Sequence, residues 1–91
     1  MEAPKQKAHY EKDLKLTAYL LALAPEITFL GTERDDNQIV FFLFGPVDKI
    51  QEKITNYYTD APISAQKLFN CLDRARDILT RAKSNWRGNF G

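Results

Sequence analysis

Six consecutive apolar residues, Ile39 to Phe44, stand between Asn37-Gln38 and Gly45-Pro46 in a chain of 91 residues. A run this short, bounded by turn formers, reads as a β-strand. A strand with one wet face alternates polar and apolar residues, because successive side chains point to opposite faces. This one does not alternate, so both of its faces call for cover. Upstream, EITFLGTE (26–33) is separated from it by Arg34-Asp35-Asp36-Asn37. Asp and Asn favour turns through their own side-chain hydrogen bonds, so the two segments form a β-hairpin.

Parity then sorts the side chains. With a loop of two or four residues, opposed positions sum to 71, so Phe29 faces Phe42, Ile27 faces Phe44 and Gly31 faces Val40. That face belongs in the core. The other face pairs Leu30 with Phe41, Thr28 with Leu43 and Thr32 with Ile39. A three- or five-residue loop would swap the parity. Leu30, Ile39, Phe41 and Leu43 are therefore the candidate interface, open to the chain's own helices, to a second copy, or to another partner. Fully burying four such side chains is worth about 6–12 kcal/mol in transfer terms, against roughly 4–15 kcal/mol for association. The patch alone sits near break-even for a dimer, and a stable one needs added contacts.

Three helices accompany the hairpin. DLKLTAYLLALA (13–24) has Asp13 as N-cap and stops at Pro25, which disfavours helical geometry at Ala24. Leucines and alanines cover most of its circumference, so it should be the most buried helix. VDKIQEKITNYY (47–58) follows Pro46 and puts Val47, Ile50, Ile54 and Tyr57 or Tyr58 on one face. AQKLFNCLDRARDILTRAK (65–83) follows Ser64, a good N-cap, with a stripe of Ala65, Leu68, Leu72, Ala75, Leu79 and Ala82. KAHYE (7–11) has the pattern of a short additional strand. The fold class is thus α+β in the order (β)-α-β-β-α-α, one domain over 7–83 between a fraying 1–6 and a flexible basic and aromatic tail at 84–91. A domain this small buries only about 60% of its unfolded-chain surface, and self-association is a common remedy.

Charge is unevenly placed. Residues 1–60 carry seven Lys/Arg against ten Asp/Glu, and residues 61–91 carry six against two. In the last helix Lys67, Arg74 and Arg81 recur every seven residues, one stripe drifting about 20° per step. With Trp86 and Arg87 in SNWRGNFG, that stripe is a candidate track for a phosphate backbone, the aromatic offering a surface for base stacking. The same pattern fits a solvated face, since Asp77 lies within reach of both Arg74 and Arg81. Arg76 falls in the apolar stripe and is expected to snorkel around Phe69.

Signs of an enzyme are few. His9 is the single histidine, placed near the fraying end as a surface residue, and Cys71 the single cysteine, a small packed thiol on the flank of the last helix's stripe. Neither zinc-ligand spacing nor a phosphate-cradling glycine loop occurs, and Asp35-Asp36 is a turn before it is a cation site. No catalytic, metal or cofactor-binding residue is assigned, and no cofactor or small-molecule substrate is inferred. The opening MEAPKQKAHYEKD lacks the apolar core of a signal peptide, and no run approaches the ~20 apolar residues of a membrane span. These features read as a cytoplasmic protein with no membrane partner.

The string Asp13-Leu14, Ala18-Tyr19-Leu20, a hairpin ending Val40-Phe42-Phe44, an amphipathic helix to Tyr58, then ISAQKLFNCLDRARDIL resembles a family of small bacterial and phage domains catalogued only as a domain of unknown function. The resemblance spans about residues 9–82 and rests on the apolar pattern. It implies the same element order and an intracellular, mobile-element origin, and it brings no functional residues. The sequence thus points to a non-enzymatic interaction module that forms a homodimer through the hairpin's second face. The alternative is a nucleic-acid-binding accessory protein acting through Lys67, Arg74, Arg81, Trp86 and Arg87.

Overall fold

The structure, a computed structural model, describes residues 8–59 and 62–88, the stretch 85–88 as backbone only. The described residues form β1 (His9–Glu11), α1 (Leu14–Leu21), β2 (Thr28–Arg34), β3 (Val40–Gly45), α2 (Val47–Tyr58) and α3 (Ala65–Gly88). The architecture is α+β, an antiparallel sheet in the order β1-β3-β2 with the helices on one face. The apolar run is the central strand. Its neighbours are the short N-terminal strand, which runs over His9–Glu11, and the first arm of the hairpin.

Helix α1 begins where Asp13 caps it. The Asp13 carboxylate accepts the backbone N–H groups of Lys15 at 2.9 Å and Leu16 at 3.2 Å, satisfying two donors that lack helical partners. The helix ends at Leu21, three residues before the expected end. Leu23 and Ala24 donate to the carbonyls three residues back rather than four, a tightened final turn that leads into Pro25. Leu16 to Leu21 are all buried, so α1 is the most buried helix. In α2, Ile50 is fully buried, Ile54 and Tyr57 pack against the core, and Tyr58 points outward. A Lys53–Glu26 ion pair at 3.1 Å ties α2 to the turn before β2.

In α3, Ser64 caps Lys67 N–H at 3.2 Å. Ala75 is fully buried, with Leu68, Cys71, Leu72, Ile78, Leu79 and Ala82 half-buried beside it, while Ala65 is exposed. The backbone remains helical to Gly88, five residues past the expected end at Lys83. Residues 1–6, expected to fray, and the end of the expected tail, 89–91, lie outside the described residues.

The hairpin corrects the expected register. Its loop runs over residues 35–39, because the Asp35 carboxylate accepts N–H from both Asn37 (2.8 Å) and Ile39 (2.9 Å) while Asp35 N–H donates to the Ile39 carbonyl. Five loop residues place Arg34 opposite Val40, Glu33 opposite Phe41, Thr32 opposite Phe42 and Gly31 opposite Leu43. A bulge at Leu30 then shifts the register, so Phe29 faces Phe44 and Thr28 faces Gly45. None of the expected pairs forms. The loop moved the parity and the bulge moved it back, so Ile27 and Phe29 still reach the core face. There Val40, Phe42, Phe44 and Ile27 are buried, and the Phe29 ring lies 5.5 Å from Phe44 and 6.3 Å from Phe42.

Candidate interaction surface on the open sheet face

All three helices pack on the side of Phe42 and Phe44: the core joins Leu16, Tyr19, Leu20 and Leu21 of α1, Ile50 of α2 and Ala75 of α3 to those two rings. Among the described residues, no helical side chain of that core lies on the opposite side of the sheet. That side presents Phe41 and Leu43 of β3, both half-buried, with Leu30 of β2 at 42% exposed. Among the described residues, the helices of the chain itself do not supply the cover for this candidate interface.

Tyr10 completes the surface, and parity explains how. In β1, His9 and Glu11 align with Phe44 and Phe42 on the core side, so Tyr10, opposite Leu43, points to the open side. Its ring meets Phe41 edge-on at 6.0 Å and is 50% exposed. Its hydroxyl hydrogen-bonds the Glu33 carboxylate on the far strand, which raises the Tyr10 pKa above its ordinary 10.0, the nearby negative charge adding to the effect. Tyr10 and Glu33 thus bracket Phe41 from both flanking strands. Sequence reasoning missed Tyr10 although the signal was there, in the alternation His-Tyr-Glu of the short strand.

The bulge places the other arm. Leu30, the extra residue, lies across Gly45, since a Cβ built on Gly45 would stand 3.3 Å from Leu30 Cδ1. Gly31 follows with φ +130°, a conformation open to glycine and rare for other residues. Ile39, expected on the strand opposite Thr32, instead closes the loop and is 38% exposed at its rim. The candidate residues Leu30, Ile39, Phe41 and Leu43 are therefore all at least partly exposed, three of them on the sheet and one at the loop.

The basic stripe has a different character. Lys67, Arg74 and Arg81 are all exposed on α3, but Arg81 pairs with Asp77 at 3.1 Å, and Arg76 reaches Asp73 at 4.0 Å in solvent rather than lying along Phe69. The side chains of Trp86 and Arg87 lie outside the described residues. His9 is not a free surface group: Nε2 sits 2.7 Å from Glu11 Oε1, and the other Glu11 oxygen accepts the Asp13 N–H at 3.1 Å. That carboxylate fixes the junction between β1 and α1. Cys71 is half-buried on the core side of α3.

Among the described residues no group of three or more His, Cys, Asp or Glu is placed to hold a metal ion, and no helix is long and apolar enough to cross a membrane. Fold and surface together define a two-layer α+β domain with one sheet face left open. Comparisons with protein-family models, with curated proteins and with solved structures find no match to this chain.

Proposed function

We propose that this protein is a small interaction module that self-associates through the open face of its sheet. The observation that carries the reading is the bracketed pair Phe41 and Leu43, apolar residues at the centre of a sheet face on which, among the described residues, no helix packs. Taking about 200 Å² for a whole side chain of this size, Tyr10, Leu30 and Ile39 alone leave about 260 Å² exposed. With Phe41 and Leu43 the patch comes to roughly 400 Å² per copy, about half of what one partner contributes to a standard interface. At ~25 cal/mol per Å², two such faces gain roughly 20 kcal/mol, of which association consumes about 4–15 kcal/mol or more. The expected result is a reversible dimer with a dissociation constant on the order of 10–100 µM.

The register chooses the variant. Phe41 faces Glu33, so Phe41→Glu would set two carboxylates opposite each other, whereas Phe41→Lys gains a cross-strand partner and keeps the fold. Size-exclusion chromatography with light scattering over about 10–500 µM should show the native mass rising toward a dimer while Phe41→Lys remains monomeric. A native protein monomeric across that range refutes the reading.

A second reading rests on α3, where Lys67, Arg74 and Arg81 stand exposed along one continuous helix. It makes the protein a nucleic-acid-binding accessory factor. Salt-sensitive binding to DNA or RNA that weakens in Arg74→Ala/Arg81→Ala supports it, and the absence of any mobility shift at low salt removes it.

A further inference from the structure

A groove of about 300 Å³ lies between the end of α1, the turn into β2, the start of β2 and α3. Its walls are Leu21, Pro25, Ile27 and Phe29, and its charged member is Arg74. Arg76 has Asp73 and Arg81 has Asp77, yet Arg74 makes no ion pair among the described residues although Asp77 is three positions away. One unpaired cation beside an apolar wall selects a ligand with an anionic head and an apolar body, and the volume falls at the lower end of small-molecule sites.

We propose that this groove binds a small apolar carboxylate, Arg74 taking the carboxylate and Pro25 and Phe29 the hydrocarbon, over a floor formed by the buried Leu21 and Ile27. A guanidinium holds a carboxylate through two parallel N–H donors, which a neutral head group cannot replace. The site needs no second copy of the chain and stands or falls independently of self-association.

The probe is octanoate, with 1-octanol as its uncharged counterpart, followed through backbone amide shifts in two-dimensional NMR. Octanoate should shift Leu21, Ile27, Thr28 and Phe29, and bind two- to fivefold more tightly than octanol, the range of an exposed charge pair of up to about 1 kcal/mol. Arg74→Gln, an exposed substitution that leaves the core untouched, should erase that preference without changing octanol binding. Arg81→Gln, at a residue outside the groove, should leave both unchanged. Equal binding of the two probes to the native protein overturns the proposal. So do shifts confined to Tyr10, Phe41 and Leu43, no shift at the groove at high millimolar probe, or groove shifts that follow protein concentration alone.

Discussion

Replacing Gly31 by alanine tests whether the bulge is what sets the two faces of the sheet. Gly31 has φ +130°, and a Cβ built there meets nothing within 4 Å, so the substitution meets no steric resistance from the rest of the protein. Whatever it costs comes from the backbone. Holding an L-residue in such a region costs on the order of 1–3 kcal/mol. The less flexible unfolded chain returns about 0.4–1 kcal/mol. A net loss of about 1–2 kcal/mol remains, and for a domain of this size each kcal/mol lowers Tm by roughly 4–8 °C. Gly31→Ala should therefore melt about 5–15 °C below the native protein by circular dichroism.

Gly45→Ala is the matched control. Its backbone is ordinary, and the new methyl would meet Leu30 Cδ1 at 3.3 Å, the far end of an exposed, flexible side chain that can give way. Its loss should stay under about 1 kcal/mol, the scale of a mild packing adjustment. If Gly31→Ala melts with the native protein, or if Gly45→Ala is the more damaging of the two, the left-handed bulge is not what fixes the register.

Three further outcomes follow from burial and titration. Phe44→Ala removes a fully buried ring and should cost about 3–5 kcal/mol in denaturant unfolding, while Phe41→Ala should cost less than half as much. Equal losses would mean that both faces of β3 are core. Asp35→Ala deletes the acceptor of two loop N–H groups and should lower stability by about 1–2 kcal/mol, read by the same unfolding assay. Tyr10, Tyr57 and Lys53 all have folded pKa values raised above their ordinary ones: Tyr10 by its bond to Glu33, Tyr57 by burial and then by Asp13, Lys53 by its bond to Glu26. Each contribution is fully present below the unfolded pKa, near 10, and is lost as pH rises through the folded value, so stability should fall on the alkaline side. Tyrosinate absorbance should show two of the tyrosines ionising late, and Tyr10→Phe should remove one of those late phases. A single phase near pH 10.0 would contradict the Tyr10–Glu33 bond.

The elements whose boundaries depend on one local signal were legible in the chain. Asp13, Pro46 and Ser64 each mark a helix start through a single carboxylate, ring or hydroxyl, and α2 spans the expected residues. The core set Ile27, Phe29, Val40, Phe42 and Phe44 was legible because alternation survives a register error of two. The pairing itself was not. It depends on Asp35 reaching both Asn37 and Ile39, which lengthens the loop to five residues, and on Leu30 dropping out of the ladder. Either event alone would have inverted the faces, and together they cancel. Of the candidate surface, Leu30, Phe41 and Leu43 were singled out by parity and Tyr10 was not, because the His-Tyr-Glu alternation assigns a face only once the register of β1 on β3 is known. The groove beside Arg74 had no sequence signal at all, since it joins the stretch 21–29 to a residue of α3 far along the chain.

Both edges of the sheet are poor sites for association, which bears on how a second copy would dock. β1 is three residues long, and the outer half of β2 carries the bulge at Leu30, the left-handed Gly31 and then Glu33 and Arg34. Short strands, bulges and charges are the features that keep sheet edges from pairing with other chains. Edge-to-edge growth leaves a fresh edge at each step and leads to open assemblies, whereas stacking two copies of one face consumes both faces and closes. In this molecule the edges are blunted and the apolar face is left open, so the geometry favours a closed pair over a fibre. Restoring the edge should therefore change the kind of assembly and not only its strength. Replacing Arg34 by threonine removes an edge charge and leaves Glu33, which faces Phe41 and bonds Tyr10, in place. On the proposed self-association, the variant should keep the closed pair at low concentration and add larger species above it in light scattering. A variant whose mass never exceeds the native one would show that the Arg34 charge plays no part in limiting assembly.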